Sequence, residues 1–281
     1  MPNDTYIAYK TDVKNKKMDT RYWGPSGWRL LHLISFGAKV AAPHSKVCTF
    51  FEVLPYVLPC KHCRKSLSEY MTKDPVDCAL KEGRLAKWLW RIHNDVNAKL
   101  RKQHLPTAPD PPFAKVEQIY EERLAAGCSR THFDGWEFLF SVAESHPFSR
   151  NARASAPIDG HPSLKELATA PPLERNRWNV MAPDERLPYY NRFWLLLPEV
   201  FPFKEWAASW KAAAEGETAL LCRTDCLKWV WNIRKRMEED LQLLNKTTYA
   251  NLCKELRDNR SGCGRAGGRG KTCRRKRGAT R

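Results

Sequence analysis

The chain of 281 residues has 42% hydrophobic and 28% charged side chains, enough to bury one sizeable core or a core with a smaller companion. The longest apolar stretch, Trp28 to Ala42, is broken by Arg29, His32 and Lys39. It therefore falls short of the roughly 20 residues that a membrane span needs. Met1 to Thr20 lacks the apolar run of a secretory signal, so the expected location is the cytoplasm. The formal charge of +17 is uneven, because nine Lys or Arg and no acid stand from Arg260 onward. Ten cysteines are too sparse for a small disulfide scaffold and lean toward redox chemistry or metal binding.

In chain order, Pro25 to Val40 reads as a helix, with proline in its first turn and Trp28, Leu31, His32 and Ser35 at helical spacing. Cys48 to Val57 reads as a second, with Phe50, Leu54 and Val57 on one stripe. Pro59 opens a third that carries Cys60, Cys63, Leu67 and Tyr70 at spacings of three and four, and Asp74-Pro75 ends it. A fourth runs from Leu85 to about Lys102 with Leu85, Trp88, Leu89, Ile92 and Val96 as its apolar face. The expectation is an all-α fold whose first part is a four-helix bundle with a fifth short helix, Ala114 to Ala126, after a proline-rich connection at 106–112. Trp136 to Val142 is an aromatic segment, Arg150 to Pro172 a linker by composition, and Tyr189 to Leu244 a tryptophan-rich helical region. The tryptophans there point first to a helical core, or to an interface with the first unit or with a second copy of the chain. The Gly- and Arg-rich end is expected to be disordered in isolation.

The chemistry centres on Pro59-Cys60-Lys61-His62-Cys63. Two cysteines at this spacing on a helix can close a disulfide with little backbone movement, and the helix start favours a thiolate. Cys60 reads as the better placed to meet another protein's thiols, and Cys63, one turn deeper, as facing the interior. A zinc site would need a second half-site that the sequence does not offer. A thioredoxin-type motif should follow a strand, and covalent haem attachment would need histidine where Arg64 stands. A pair of inert buried thiols also fits the motif taken alone. The fourth helix adds His93 and Asn97 at i and i+4 beside Trp88 and Trp90, and the first helix repeats the theme with Trp28 and His32. Two helices that each present an aromatic ring and an imidazole suit a planar aromatic cofactor with a polar end.

Three motifs in this order and spacing resemble the Erv/ALR family of FAD-linked sulfhydryl oxidases. They are Trp23-Gly24-Pro25-x-x-Trp28-x-x-x-His32, then Leu58-Pro59-Cys60-x-x-Cys63, then Trp88-Leu89-Trp90-x-x-His93-Asn94-x-Val96-Asn97-x-x-Leu100. The likeness spans roughly Arg21 to Lys102, and Lys115-Val116-Glu117 to Tyr120 extends it. It implies a helical bundle holding FAD non-covalently, with Cys63 next to the flavin and Cys60 attacked by incoming thiols. Two thiols and O2 would give a disulfide and H2O2. The residues it assigns to FAD are Gly24, Trp28, His32, Trp90, His93, Asn94, Val96, Asn97, Lys102 and Tyr120, with no metal. Tyr120 stands where the family has a tryptophan near the flavin. Leu58 replaces a tyrosine common in members. Trp90 replaces a cysteine that pairs with another near the position of Phe113, and packing by the bulky indole can fill that place.

The layout implied is a flexible arm at 1–19, an oxidase domain at 20–127, a connecting segment at 128–172, a helical domain at 173–256 and a basic tail at 257–281. Family members usually relay electrons through a second cysteine pair. Cys222/Cys226 and Cys263/Cys273 are the candidates, although buried or unpaired thiols describe both pairs as well. The expected partners are protein dithiols, including a thioredoxin-like shuttle, together with O2, a second copy of the chain, and polyanions at the tail. The long extension is similar in layout to oxidases of large cytoplasmic DNA viruses, which would put the protein in host cytoplasm or a virion. The rival reading is a basic structural or nucleic-acid-associated protein with a non-catalytic bundle.

Overall fold

The chain folds into helices because its apolar side chains recur at helical spacing, and the computed structural model contains no strand among the residues it describes. These are 19–41, 43–105, 107–149, 156–214 and 222–259. The first helix, α1, runs over Asp19–Ala41, six residues ahead of the start predicted at Pro25. Pro25 therefore lies inside it and withdraws one backbone donor. Burial of Trp23 outweighs that loss, since its indole is 7% exposed. α2 covers His44–Val57, α3 Lys61–Lys73 and α5 Leu85–Lys102, the last with the bounds read from sequence. α3 starts later than predicted, with Cys60 as its extended N-cap residue and Pro59 outside the helix. Between α3 and α5 lies α4, Val76–Lys81, a single turn and a half too short to show a period.

α1, α2, α3 and α5 make the bundle, and α6, Phe113–Ala125, packs on α1 and α5 as the fifth helix. α7, Trp136–Glu144, is wedged between α1 and a later helix. The stretch predicted as linker contains α8, Leu164–Ala168, opened by a capping box between Ser163 and Glu166. α9, Pro172–Arg177, lies on α3, and α10, Pro183–Leu196, lies along α2. A 3-10 turn, Leu197–Glu199, leads to α11, Lys204–Ala214, which packs on α12, Arg223–Asp240. α13, Tyr249–Asp258, closes the described part.

One hydrophobic cluster runs through all of this. Phe193 of α10 stacks on Phe50 of α2 at 5.6 Å and meets Phe138 of α7 edge-on at 6.2 Å. Trp194, Trp210 and Trp229 are buried in mutual contact, and Trp206 is buried against Phe133, Phe201 and Phe203, so the tryptophan-rich region is core. Asp134, just before α7, is buried and takes ion pairs from Arg29 of α1 (3.0 Å), Arg123 of α6 and His132 (3.6 Å). Among the described residues no helix is long and apolar enough to cross a membrane.

Candidate functional site

A cavity of about 1190 Å³, counted to its open mouth, lies between α1, α3 and α5. α5 contributes Trp88, Ile92, Val96, Lys99 and Gln103, which recur along one face of the helix. α3 contributes Cys63, Leu67 and Tyr70, the stripe read from sequence, and α1 contributes Trp23, Gly24, Gly27 and Trp28. Phe138 of α7 lies against Gly27, where a Cβ would come within 3.2 Å of its ring. At Gly24 a Cβ would meet nothing within 4 Å, so this glycine leaves its side of the cavity open.

The walls are aromatic and aliphatic, but the lining includes two buried polar atoms, Trp23 Nε1 and Gln103 Oε1, with no hydrogen-bond partner among the described residues. Buried groups of this kind are normally satisfied, and a bound polar ligand is one way to satisfy them. Arg21 and Lys99 add positive charge to the lining, and Lys99 Nζ donates to Ser66 Oγ. Flat rings, unspent hydrogen-bonding atoms and cations together suit a planar aromatic ligand that also carries anionic groups.

The two cysteines are placed differently from the sequence expectation in one respect. Cys63 is half-buried and lines the cavity. Cys60 was expected to be open to incoming thiols, and it is 3% exposed. The segment 156–179 crosses this end of α3, which nothing in the local motif announces. Both cysteines belong to one turn, since Cys63 and Arg64 donate their backbone N–H to Cys60 O at 3.0 and 2.9 Å.

Of the ten candidate ligand residues, Gly24, Trp28 and Val96 line the cavity. His32, His93 and Tyr120 form a layer behind Trp28. Trp28 stacks on His93 at 3.9 Å with planes 9° apart, His32 Nε2 lies 3.2 Å from His93 Nδ1, and His32 stacks on Tyr120 at 5.1 Å. Burial pushes His32 down to about 3, and burial with the neighbouring His32 pushes His93 well below its ordinary value. Both imidazoles are therefore neutral near pH 7, and one ring donates to the other. Asn97 and Trp90 hold the connection before α6: Asn97 Nδ2 donates to Asp110 Oδ1 at 2.8 Å and Trp90 Nε1 to Pro111 O at 3.0 Å. Trp90 also meets Phe113 edge-on at 5.7 Å, so packing occupies the place considered for it above. Asn94 is half-buried and Lys102 exposed, and neither is among the lining residues.

Trp23, Leu67, Tyr70, Trp88, Lys99 and Gln103 line the cavity without having been assigned to it. Lys99 and Gln103 continue the Val96 face by three and seven residues, a signal the sequence does contain. Of the relay candidates, Cys226 is fully buried against Tyr190 Oη at 3.0 Å, and burial pushes its thiol up to about 12. Cys222, the N-cap residue of α12, donates to Asp225 at 3.0 Å. Cys263 and Cys273 lie outside the described residues.

Residues 25–121 match the Erv1 / Alr family. A 106-residue stretch is 29% identical to an FAD-linked sulfhydryl oxidase of African swine fever virus, covering 37% of this chain and 83% of the relative. A protein of Acanthamoeba polyphaga mimivirus named as a probable FAD-linked sulfhydryl oxidase is 32% identical over 93 residues, 31% of this chain and 65% of its own. The mitochondrial FAD-linked sulfhydryl oxidase of Saccharomyces cerevisiae is 30% identical over 87 residues, 30% of this chain and 46% of its own. No solved structure matches.

Proposed function

We propose that the chain, whose residues 25–121 match the Erv1 / Alr family, is an FAD-linked sulfhydryl oxidase that makes disulfides in protein dithiols. The observation that carries the reading is Cys63 on the wall of a large aromatic cavity, one turn from its partner Cys60. The cavity suits FAD. Trp28 and Trp88 offer ring faces, Trp23 Nε1 and Gln103 Oε1 offer hydrogen bonds, and Arg21 and Lys99 offer charge to a diphosphate. The neutral His32–His93 pair stiffens Trp28 from behind.

A substrate thiolate attacks Cys60 Sγ of the Cys60–Cys63 disulfide, the S–S bond breaks, and Cys63 leaves as a thiolate. A second substrate thiolate attacks the mixed disulfide, which releases the substrate disulfide and Cys60. The pair has then gained two electrons, and Cys63 holds them against the cavity. FAD held by these residues would supply the two-electron oxidation of the pair, with O2 as the terminal acceptor and H2O2 as the product. The start of α3 favours the negative sulfur that each step creates.

The purified protein should show a flavin absorbance band and consume O2 when given a dithiol. Cys63→Ser should keep the band and lose thiol-dependent O2 uptake. Colourless protein that cannot be loaded with FAD overturns the reading, and full activity in Cys63→Ser removes that sulfur from the mechanism.

A further inference from the structure

Outside the stretch shared with the family, residues 156–179 fasten onto the end of α3 that carries Cys60. Lys61 Nζ and Asn179 Nδ2 both donate to Ala156 O, at 2.8 and 2.9 Å. Arg64 donates to Asn179 Oδ1 at 2.6 Å and to Leu58 O at 3.0 Å, so it ties Asn179 to the turn that leads into Cys60. The segment is closed on itself by the bond from Ile158 N to Trp178 O at 3.0 Å, and Lys65 lies 3.5 Å over the Trp178 ring. Asn179 has a left-handed backbone, φ 58°, which asparagine adopts more readily than most residues. Cys60 belongs to the turn that these contacts hold and is 3% exposed, so attack on its sulfur requires this end of α3 to open.

We propose that Asn179 is a specificity-determining residue for thiol oxidation: with its segment seated on α3, Cys60 is closed to small thiols and opens to a polypeptide. This rests on the oxidase reading. The donors that hold the segment, Lys61 Nζ and Arg64, are met by a backbone carbonyl and a side-chain amide oxygen. A substrate polypeptide brings such acceptors with it and can take the segment's place. A small dithiol brings none.

The test uses the full chain in a phosphine reductant, with iodoacetamide labelling followed cysteine by cysteine by mass spectrometry. Exposed Cys78 is the reference, and buried Cys48 and Cys226 report unfolding. Asn179→Gly keeps the left-handed backbone and removes the side chain. It should raise Cys60 labelling about tenfold with Cys48 and Cys226 unchanged, the effect of losing a hydrogen bond from a charged donor. It should also raise kcat/KM for dithiothreitol by more than it raises that for a reduced, unfolded protein. The proposal falls if wild-type Cys60 labels as fast as Cys78, if Asn179→Gly leaves Cys60 protected, or if both substrates gain equally. Should Asn179→Gly expose Cys48 and Cys226 as well, Lys61→Met cuts the other tie without touching Asn179. Wild-type labelling of Cys60 in Lys61→Met then overturns the proposal. Wild-type protein that shows the protection but consumes no O2 overturns the oxidase reading instead.

Discussion

His32 and His93 meet in a dry layer behind Trp28, with their ring nitrogens 3.2 Å apart. Burial holds both neutral, and this fixes the sign of their effect on stability. Above the ordinary histidine value near 6.5, folded and unfolded chains both carry neutral rings. As pH falls below it, the unfolded chain binds protons that the folded pair refuses, so stability falls by up to about 1.4 kcal/mol per pH unit for each histidine. For His32 the loss continues down to about 3. Thermal melts from pH 8 to pH 5 should show this decline, and His32→Gln should flatten it. At Gly24 the prediction separates binding from folding. A leucine there meets no protein atom near its Cβ and extends into the cavity, so Gly24→Leu should lose FAD while the melting point of the FAD-free protein stays near wild type. The cysteines, Trp28 and Val96 were legible in the sequence because motif and period coincide on them. The position of Gln103 on the Val96 face was legible too, but the polar atoms that Trp23 and Gln103 leave without partners were not, because only the packed structure reveals them.

Among the elements, α1, α6 and the start of α7 are joined by Asp134. Burial alone pushes its carboxyl up, but His132, Arg123 and Arg29 outweigh burial and hold it below the ordinary carboxylate range. Asp134→Ala leaves those cations facing one another without their common partner. It should cost about 3 kcal/mol in urea unfolding at neutral pH. The long, strongly periodic α5 was legible almost to the residue, whereas α2 begins at His44, four residues before the start read at Cys48. α4 was not, since six residues give no period, and the early start of α1 was hidden by Pro25, whose local cost is offset by the burial of Trp23. α8 lies in a stretch whose Pro and Gly suggested a linker, although its Ser163-x-x-Glu166 capping box was there to be read.

At the scale of the whole molecule, the helices beyond the family match share their core with the bundle. Phe193 is fully buried and touches Phe50 and Phe138, which belong to two other elements. Phe193→Ala should destabilise the protein by about 3–5 kcal/mol. Because the cluster is continuous, calorimetry should show one transition moved downward, with flavin release and loss of helix coinciding. Two independent transitions would contradict that continuity. The closure of the segment 156–179 over α3 escaped the sequence for a related reason: its contacts reach across about a hundred residues through Ala156 O and Asn179, and no local pattern encodes them.

The contact of Trp90 with Phe113, and the hydrogen bond from its indole to Pro111 O, join α5 to the start of α6 without a covalent link. A clasp of this kind is indifferent to the thiol poise of its surroundings. The bundle should melt at the same temperature with or without excess dithiothreitol, so the scaffold stays intact in a compartment that keeps thiols reduced. On the proposed mechanism, electrons would pass through Cys60 and Cys63 there without placing the architecture at risk from the reductants consumed.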